Sequence, residues 1–271
     1  PQVGERYFRS DLVKTLRTLS RDPRSMYEGT IGEKIIQSSK LEKSAFNHED
    51  LASHKTEWVA PISMPYRDVI VHEIPPNGQG LAVLVALGIL NELEVTPGDS
   101  LESVHTQIEA MKIALHTAAR WISDPSHMKI TVKALLDPAG LRNLAGSICA
   151  ASSCIPPLSM PAGHDTVYLS AADDNGMMVS FIQSNYFGFG SGIVIPDTGI
   201  TMQNRGWGFT LEEGHPNEVG PKKKPFHTII PGFITRDGKA LASFGVMGGP
   251  MQAQGHVQMV SRLIDYNQNP Q

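Results

Sequence analysis

Thr166 stands where a loop gives way to a run of β-type residues. The stretch reads GHDTVYLSAAD over residues 163–173. A threonine hydroxyl is a weak nucleophile, but a threonine at a chain start carries its own base, because a free α-amine with a pKa of about 8 accepts a proton near neutral pH. This chemistry requires cleavage of the Asp165–Thr166 bond. The stretch alone favours the simpler interpretation, in which Thr166 is an ordinary β-branched strand residue.

A glycine pair supplies the second part that such a nucleophile needs. Gly248 and Gly249 occur in GVMGGPMQ, after a predicted strand Ala242–Phe244. Two successive backbone N–H groups in a glycine turn can stabilise an oxyanion, and glycine lets the backbone approach a ligand closely. The alternative is a plain turn before a helix that begins near Met251. Both interpretations can hold together.

Polar residues that could anchor an acyl group lie in two further stretches. QNRG places Asn204 and Arg205 after a predicted strand, and an arginine can pair bidentately with a carboxylate. The alternative for Arg205 is a surface turn. PFHTIIP places His227 and Thr228 at the start of a predicted buried strand. We assign His227 no role as a general base, because no nucleophile elbow accompanies it.

A hairpin is predicted to position the threonine. Val167–Ala172 and Met177–Ser184 alternate like strands and flank DDNG, a strong turn signal. The pairing brings Ser184 opposite Thr166, where its hydroxyl could steady the nucleophile. A further hairpin is predicted around Asp237.

The rest of the chain divides into two regimes. Residues 1–130 are predicted to be mainly helical. The predicted helices include one capped at Ser10 or Asp11, one started by Asn47, an apolar one after PPNGQG and a long one that begins at Ser100 or Glu102 and continues to Trp121. Strands are predicted at 58–62 and 69–73. The segment 136–165 is rich in Pro, Ser, Ala and Gly and reads as a mobile connector, where proteolytic nicking is easiest. Helices followed by antiparallel hairpins predict a layered α+β domain.

Composition excludes several classes of function. The 271 residues carry a net charge of -4, which gives no reason to expect a nucleic-acid partner. No apolar run is long enough for a transmembrane helix. The ten histidines and two cysteines do not fall at metal-ligand spacing, so we expect no metal and no cofactor.

Cys149 and Cys154 are expected to be free thiols, with a local disulfide as the alternative. Localisation is left open.

Both ends of the chain look cut, because it starts at Pro1 and stops just after an apolar helix. We interpret it as an internal piece of a longer protein. Two segments are predicted within one domain: residues 1–165, mostly helical, and residues 166–271, β-rich and incomplete at the C-terminus.

Several stretches together resemble the γ-glutamyltransferases (γ-glutamyltranspeptidases), and most closely the cephalosporin acylase-like branch. They are DTVYLSAADDNGMMVSFIQSNYFGFGSGI, GITMQNRGWGF, FGVMGGPMQAQGHVQ, IPPNGQG and SDLVKTLRTL. The resemblance covers nearly the whole chain in the same order. It implies an N-terminal nucleophile hydrolase with an αββα sandwich, of which this chain is part. It also implies a precursor that cleaves itself into large and small chains, which remain together as a heterodimer.

The resemblance also implies roles for single residues. The reaction that the resemblance implies is attack on a γ-glutamyl amide, formation of a γ-glutamyl ester, and transfer to water or an amino acid. The implied roles are: nucleophile and α-amine base, Thr166; processing bond, Asp165 and Thr166; support of the nucleophile, Ser184; oxyanion hole, Gly248 and Gly249; substrate binding, Asn204, Arg205, Trp207, His227 and Thr228.

One departure from the family pattern bears on the substrate. The transferases carry an acidic pair that binds the α-amine of the substrate, but here the corresponding stretch reads Arg205-Gly206-Trp207-Gly208. A buried ammonium without a partner costs several kcal/mol. An arginine and a tryptophan suit an uncharged or acidic acyl group better.

Three hypotheses therefore remain at this stage. The first is a γ-glutamyl hydrolase or transferase acting on glutathione-like compounds. The second is an acylase of the same mechanism that acts on glutaryl-type or other acyl groups, which Gly208 favours. The third is an unprocessed, non-catalytic member, against which the presence of Thr166, Gly248 and Gly249 argues.

Overall fold

A computed structural model of the chain describes residues 2–94, 96–153, 156 and 166–269. Short 3₁₀ helices occur at Pro23–Met26 and Arg205–Gly208. In chain order the other elements are α1 (Ser10–Arg21), α2 (Thr30–Leu41), α3 (His48–Ala52), β1 (Ile62–Tyr66), β2 (Val69–Glu73), α4 (Gly80–Asn91), α5 (Leu101–Trp121), α6 (Val132–Leu135), α7 (Pro138–Ala145), β3 (Thr166–Ala172), β4 (Met178–Ser184), β5 (Val194–Ile195), β6 (Ile200–Thr201), β7 (Gly232–Arg236), β8 (Lys239–Phe244) and α8 (Met251–Ile264).

The first of two compact units comprises Pro1–Trp58 and Phe189–Asn204. It holds α1, α2, α3 and the β5–β6 pair around a small apolar core of Ile31, Ile35, Ile36, Leu51 and Ile195. Helix α3 starts with a capping box, in which the Asn47 side chain accepts from the Glu49 N–H and the Asp50 carboxylate accepts from the Asn47 N–H. The helix start predicted at Asn47 is confirmed.

The second unit comprises Val59–Gly188 and Arg205–Gln271 and contains the main core. Its largest sheet has four antiparallel strands in the order β1-β2-β7-β8. Helix α4 is buried along almost its entire length, because its sequence GLAVLVALGILN is apolar on every side. It packs against α5, α7, α8 and the sheet. The sheet joins β1 and β2 to β7 and β8, so it draws on residues from both sides of Thr166.

The hairpin predicted after Thr166 is confirmed. β3 and β4 pair antiparallel in one continuous register, with Thr166 opposite Ser184 and Ala172 opposite Met178. The Asp173 carboxylate closes the turn by accepting from the N–H groups of Asn175 and Met177.

Four local predictions are wrong. The first strand starts at Ile62 rather than residue 58, because Trp58 is fully exposed and has no sheet face to occupy. Helix α1 has Arg9 at its N-cap, without a side-chain cap. Part of the predicted connector is α7, whose Leu141 is buried in the main core. Cys149 is disulfide-bonded and is not a free thiol. Residues 154–155 and 157–165 of the connector lie outside the described residues, and the predicted division at residue 165 stays a prediction.

Within the described residues, no helix combines the length and apolarity that crossing a membrane requires.

Candidate functional site

Thr166 is the first residue of β3 and is held by the hairpin. Its relative exposure is 8%, although the strand residues after it are largely open to solvent. The ladder with β4 fixes its backbone opposite Ser184. An open cleft of about 510 Å³ reaches the threonine and is lined by Thr166, Val167, Gln183, Ser184, Asn185 and Gly188. The residue whose hydroxyl could act as nucleophile thus lies at the start of a paired strand, beside a cleft that a small substrate can enter.

Ser184 pairs with Thr166 in the hairpin, and its side chain contacts Arg205. The Ser184 hydroxyl accepts hydrogen bonds from the Arg205 guanidinium and from the Tyr186 N–H. Among the described residues, no hydrogen bond joins the Ser184 and Thr166 side chains. The predicted support of Thr166 by Ser184 therefore rests on their pairing in the hairpin, and that role stays a prediction.

Arg205 lies over the ring of Tyr186, with 5.5 Å between the guanidinium carbon and the ring centroid. Burial lowers the pKa of Arg205 to about 10, so the guanidinium still carries its charge at neutral pH. Tyr186 has a φ of 82°, an unusual conformation for a bulky residue. The sequence did not single out Tyr186, because its role depends on the contact with Arg205.

A smaller cavity of about 160 Å³ is lined in part by this arginine. Of the described residues that line it, Arg205 carries the only permanent charge, and no carboxylate is among them. The lining consists of Tyr186, Arg205, Trp207, Gly208, Phe226, His227 and Thr228. Four of the five predicted substrate-binding residues therefore meet in one place.

His227 is a neutral member of this cavity. Burial, together with the smaller effect of the Arg205 charge, lowers the pKa of the His227 imidazole to about 4. Its Nδ1 accepts from the Ile229 N–H, which leaves the proton of the neutral ring on Nε2. His227 therefore presents a donor rather than a base. The strand predicted to start here is wrong, because His227 forms only an isolated bridge with Gly78, and β7 begins at Gly232.

The backbone around Gly208 leaves no room for an acidic side chain at that position. A Cβ atom at Gly208 would lie 2.1 Å from the Phe226 carbonyl oxygen, which belongs to the backbone. A carboxylate side chain at this position would require the cavity wall to move.

We expect Gly208→Asp to destabilise the fold by about 1–3 kcal/mol, the cost of forcing extra atoms into a packed site. Gly206→Asp is the matched control, because a Cβ at Gly206 on the same 3₁₀ helix meets nothing within 4 Å. Thermal denaturation followed by circular dichroism compares the two variants. Equal midpoints would contradict the steric explanation.

The predicted glycine pair forms a turn before α8. Gly248 and Gly249 have φ angles of 129° and 59°, a region that side chains rarely adopt. Their N–H groups donate to no acceptor among the described residues. The loop follows β8 by way of Gly245, where an added Cβ would lie 2.4 Å from the Tyr168 ring. The loop that carries these two N–H groups thus packs beside the β3 hairpin.

Two predicted residues are not part of this arrangement. Asn204 belongs to the first compact unit. Asp165 lies outside the described residues, so the processing bond stays a prediction. No group of three or more His, Cys, Asp or Glu within the described part of the chain is arranged to hold a metal ion.

Comparison with known proteins covers the whole chain. The family model described as Gamma-glutamyltranspeptidase matches residues 1–271. A glutathione hydrolase-like YwrD proenzyme of Bacillus subtilis is 36% identical over 100% of this chain and 52% of its own length. An oxamate amidohydrolase proenzyme of Klebsiella pneumoniae is 36% identical over 97% of this chain and 50% of its own length.

The fold is similar to that of a solved relative. The crystal structure of cephalosporin acylase from Bacillus halodurans matches with a TM-score of 0.94 and 43% identity, over 100% of this chain and 50% of that one. The chain thus spans about half the length of the relatives it matches. The predicted α+β, N-terminal nucleophile hydrolase fold and the predicted resemblance are confirmed. The chain belongs to the gamma-glutamyltranspeptidase family.

Proposed function

We propose that the protein is a self-processing amide hydrolase or acyltransferase with Thr166 as its N-terminal nucleophile. The observation that carries the proposal is the placement of Thr166: a buried threonine at the first position of a strand, facing Ser184 and lining an open cleft. The names of the relatives, which include hydrolases and an acylase, agree with an amide-cleaving reaction.

The reaction would follow from the groups around Thr166. Cleavage of the Asp165–Thr166 bond frees the α-amine, which takes the proton of the Thr166 hydroxyl as the oxygen attacks the amide carbonyl. The negative charge that develops on the carbonyl oxygen is stabilised by the Gly248 and Gly249 N–H groups. The protonated amine then gives its proton to the leaving nitrogen, and the acyl group remains on Thr166 as an ester. Water, or an acceptor amine, releases the acyl group and restores the hydroxyl.

The charge of the smaller cavity favours a particular acyl group. Arg205 supplies a cation, His227 is neutral, and no carboxylate is among the described residues that line the cavity. An acyl chain that ends in a carboxylate would gain a charge-assisted hydrogen bond there. An α-ammonium group would have no anionic partner and would face a like charge. A glutaryl-type acyl group therefore fits better than a γ-glutamyl group.

A γ-glutamyl donor is the second candidate. It is supported by family membership and by relatives named glutathione hydrolase proenzymes in Escherichia coli and Pseudomonas. Glutathione-like compounds would then be the substrates, with water or an amino acid as acceptor. Under this reading the α-amine would need a carboxylate from elsewhere in the protein.

The partners proposed are the small-molecule substrate and the two chains of one precursor. β2 lies before Thr166 in the chain and pairs with β7, which lies after it. A cut at Asp165–Thr166 would leave both products in the same sheet. This supports a stable heterodimer of a large and a small chain.

Two anilides separate the acyl groups. Glutaryl and γ-glutamyl p-nitroanilides differ only in the α-ammonium group, so the full-length protein is assayed with both. We expect kcat/KM to be at least about tenfold higher for the glutaryl substrate, because the ammonium would be buried without a counter-charge. A preference for the γ-glutamyl substrate would overturn the glutaryl assignment. No turnover of either by an uncut, folded chain would support the non-catalytic alternative.

A further inference from the structure

Gln79 contacts the Gly248–Gly249 turn and is fully buried. It precedes α4 at the end of the PPNGQG turn. Its side-chain nitrogen Nε2 donates to the Thr228 carbonyl oxygen at 3.0 Å and to the Gly249 carbonyl oxygen at 3.1 Å. A single amide group thus joins the smaller cavity to the turn that carries the candidate oxyanion hole.

The chemistry of the two acceptors fixes which end of the amide faces them. Both are backbone carbonyls, and only the NH₂ group of a glutamine can donate two hydrogen bonds. The Gly249 carbonyl also accepts from the Gln252 N–H at 3.0 Å at the start of α8. The Gly249 carbonyl oxygen therefore accepts two hydrogen bonds, one from the backbone of α8 and one from the Gln79 side chain.

The turn before Gln79 is also tied to the cavity wall. The Gln79 N–H donates to the His227 carbonyl, and the His227 N–H donates to the Asn77 carbonyl. The Asn77 side chain donates to the Pro225 carbonyl at 2.6 Å. The segment that contains His227 and Thr228 is thus aligned by the same turn that places Gln79.

This anchoring matters because consecutive glycines are the least constrained backbone in a protein. An oxyanion hole stabilises charge only if its donors are fixed before the reaction. Gly248 and Gly249 have no side chains to fix them, so their orientation depends on contacts such as that of Gln79.

We propose that Gln79 is a positioning residue, which sets the orientation of the Gly248–Gly249 turn and its distance from the acyl-binding cavity. The inference rests on the proposed function, because it needs the turn to act as the oxyanion hole. Gln79 would not contact the substrate. Its effect would appear in the rate of the chemical steps rather than in substrate binding.

The test compares Gln79→Met and Gln79→Asn with a matched control in the full-length protein. Methionine has about the same side-chain length as glutamine but no NH₂ group to donate. Asparagine keeps the amide group on a side chain that is one carbon shorter. Gln252→Met is the control, because Gln252 is equally buried beside the turn and its side chain bonds no described residue. Processing, kcat, KM and thermal midpoint are measured for each.

We expect both Gln79 variants to lower kcat by about 10–100-fold, which does not exceed the effect of losing one oxyanion-hole donor. KM should change by less than about threefold, because Gln79 does not contact the substrate. Gln252→Met should keep kcat within about twofold, since it removes no hydrogen bond to the turn. Lost processing in a Gln79 variant with an unchanged midpoint would also support the proposal, because self-cleavage would form an oxyanion too.

Two results would overturn the inference. One is an unchanged kcat in both Gln79 variants, and the other is an equal fall in kcat for Gln252→Met. A Thr166→Ala variant run beside them separates this failure from that of the proposed function. If Thr166→Ala is inactive while the Gln79 variants keep full kcat, only the role of Gln79 is wrong. If Thr166→Ala is active, the proposed function itself is wrong.

Discussion

Thr166→Ala is expected to leave the precursor uncut and to lower kcat by at least about 10⁴-fold, the scale seen when a covalent nucleophile is removed. Alanine has no hydroxyl to attack either the preceding peptide bond or the substrate. Intact mass and N-terminal sequencing of the purified full-length protein provide the measurement. The parent should give two chains, the smaller beginning Thr166-Val167-Tyr168.

Thr166→Ser is the matched control for this prediction. It keeps both the hydroxyl and, after cleavage, the α-amine, so processing and turnover should persist at a reduced rate. An alanine variant that is cut at the same bond or that turns over substrate would show that Thr166 is a structural strand residue. A parent that is active as one uncut chain would lead to the same conclusion.

Arg205→Met is expected to reduce kcat/KM for a glutaryl anilide by about 30–1,000-fold, because a buried carboxylate would lose its charge-assisted partner. For a butyryl anilide, which lacks the terminal carboxylate, the reduction should stay below about threefold. The comparison matters because Arg205 also donates to Ser184. Steady-state kinetics on both substrates separates recognition of the acyl group from support of the nucleophile.

Arg236→Met provides the control for loss of an arginine. Arg236 is a partly exposed residue of β7 that pairs with Asp68 at the surface, away from both cavities. The Arg236→Met variant should leave kcat/KM unchanged for both the glutaryl and the butyryl anilide. An equal loss on the two anilides in Arg205→Met would refute a role in binding the acyl carboxylate and would assign Arg205 to the nucleophile instead.

The parts of the fold that sequence predicted well are those with local signals. The β3–β4 hairpin was predicted with its pairing because alternating residues flank a turn whose Asp173 closes it. The long helix to Trp121 was predicted to begin at Ser100 or Glu102, and Ser100 is the cap, where its side chain accepts from the Ser103 N–H. These elements are encoded by neighbours in the chain.

The parts that sequence missed depend on contacts between distant residues. Helix α7 has a local start signal in Asp137, which accepts from the Gly140 N–H, but its stretch lacks a sustained period. The contact of Leu141 with the core and with Gly88 holds the helix in place. The segment at His227 looked like a buried strand, but its hydrogen bonds go to the PPNGQG turn rather than to a sheet. Burial alone does not specify which partner a segment will have.

The candidate site shows the same division. Thr166, Ser184 and the glycine pair were predicted from short stretches and from the resemblance. Tyr186 and Gln79 were not predicted, because each contacts a residue that is distant in the sequence. No local sequence pattern marks such a contact. The positive φ of Tyr186 is a structural sign that the sequence does not show.

The sheet order β1-β2-β7-β8 has a consequence for how a processed protein would unfold and recover. Before the cut, folding is a unimolecular event within one chain. After the cut, β2 and β7 would belong to different molecules, and their pairing could reform only by collision. Refolding would become second order and would slow on dilution. At low protein concentration the lifetime of a processed protein would therefore be set mainly by its rate of unfolding.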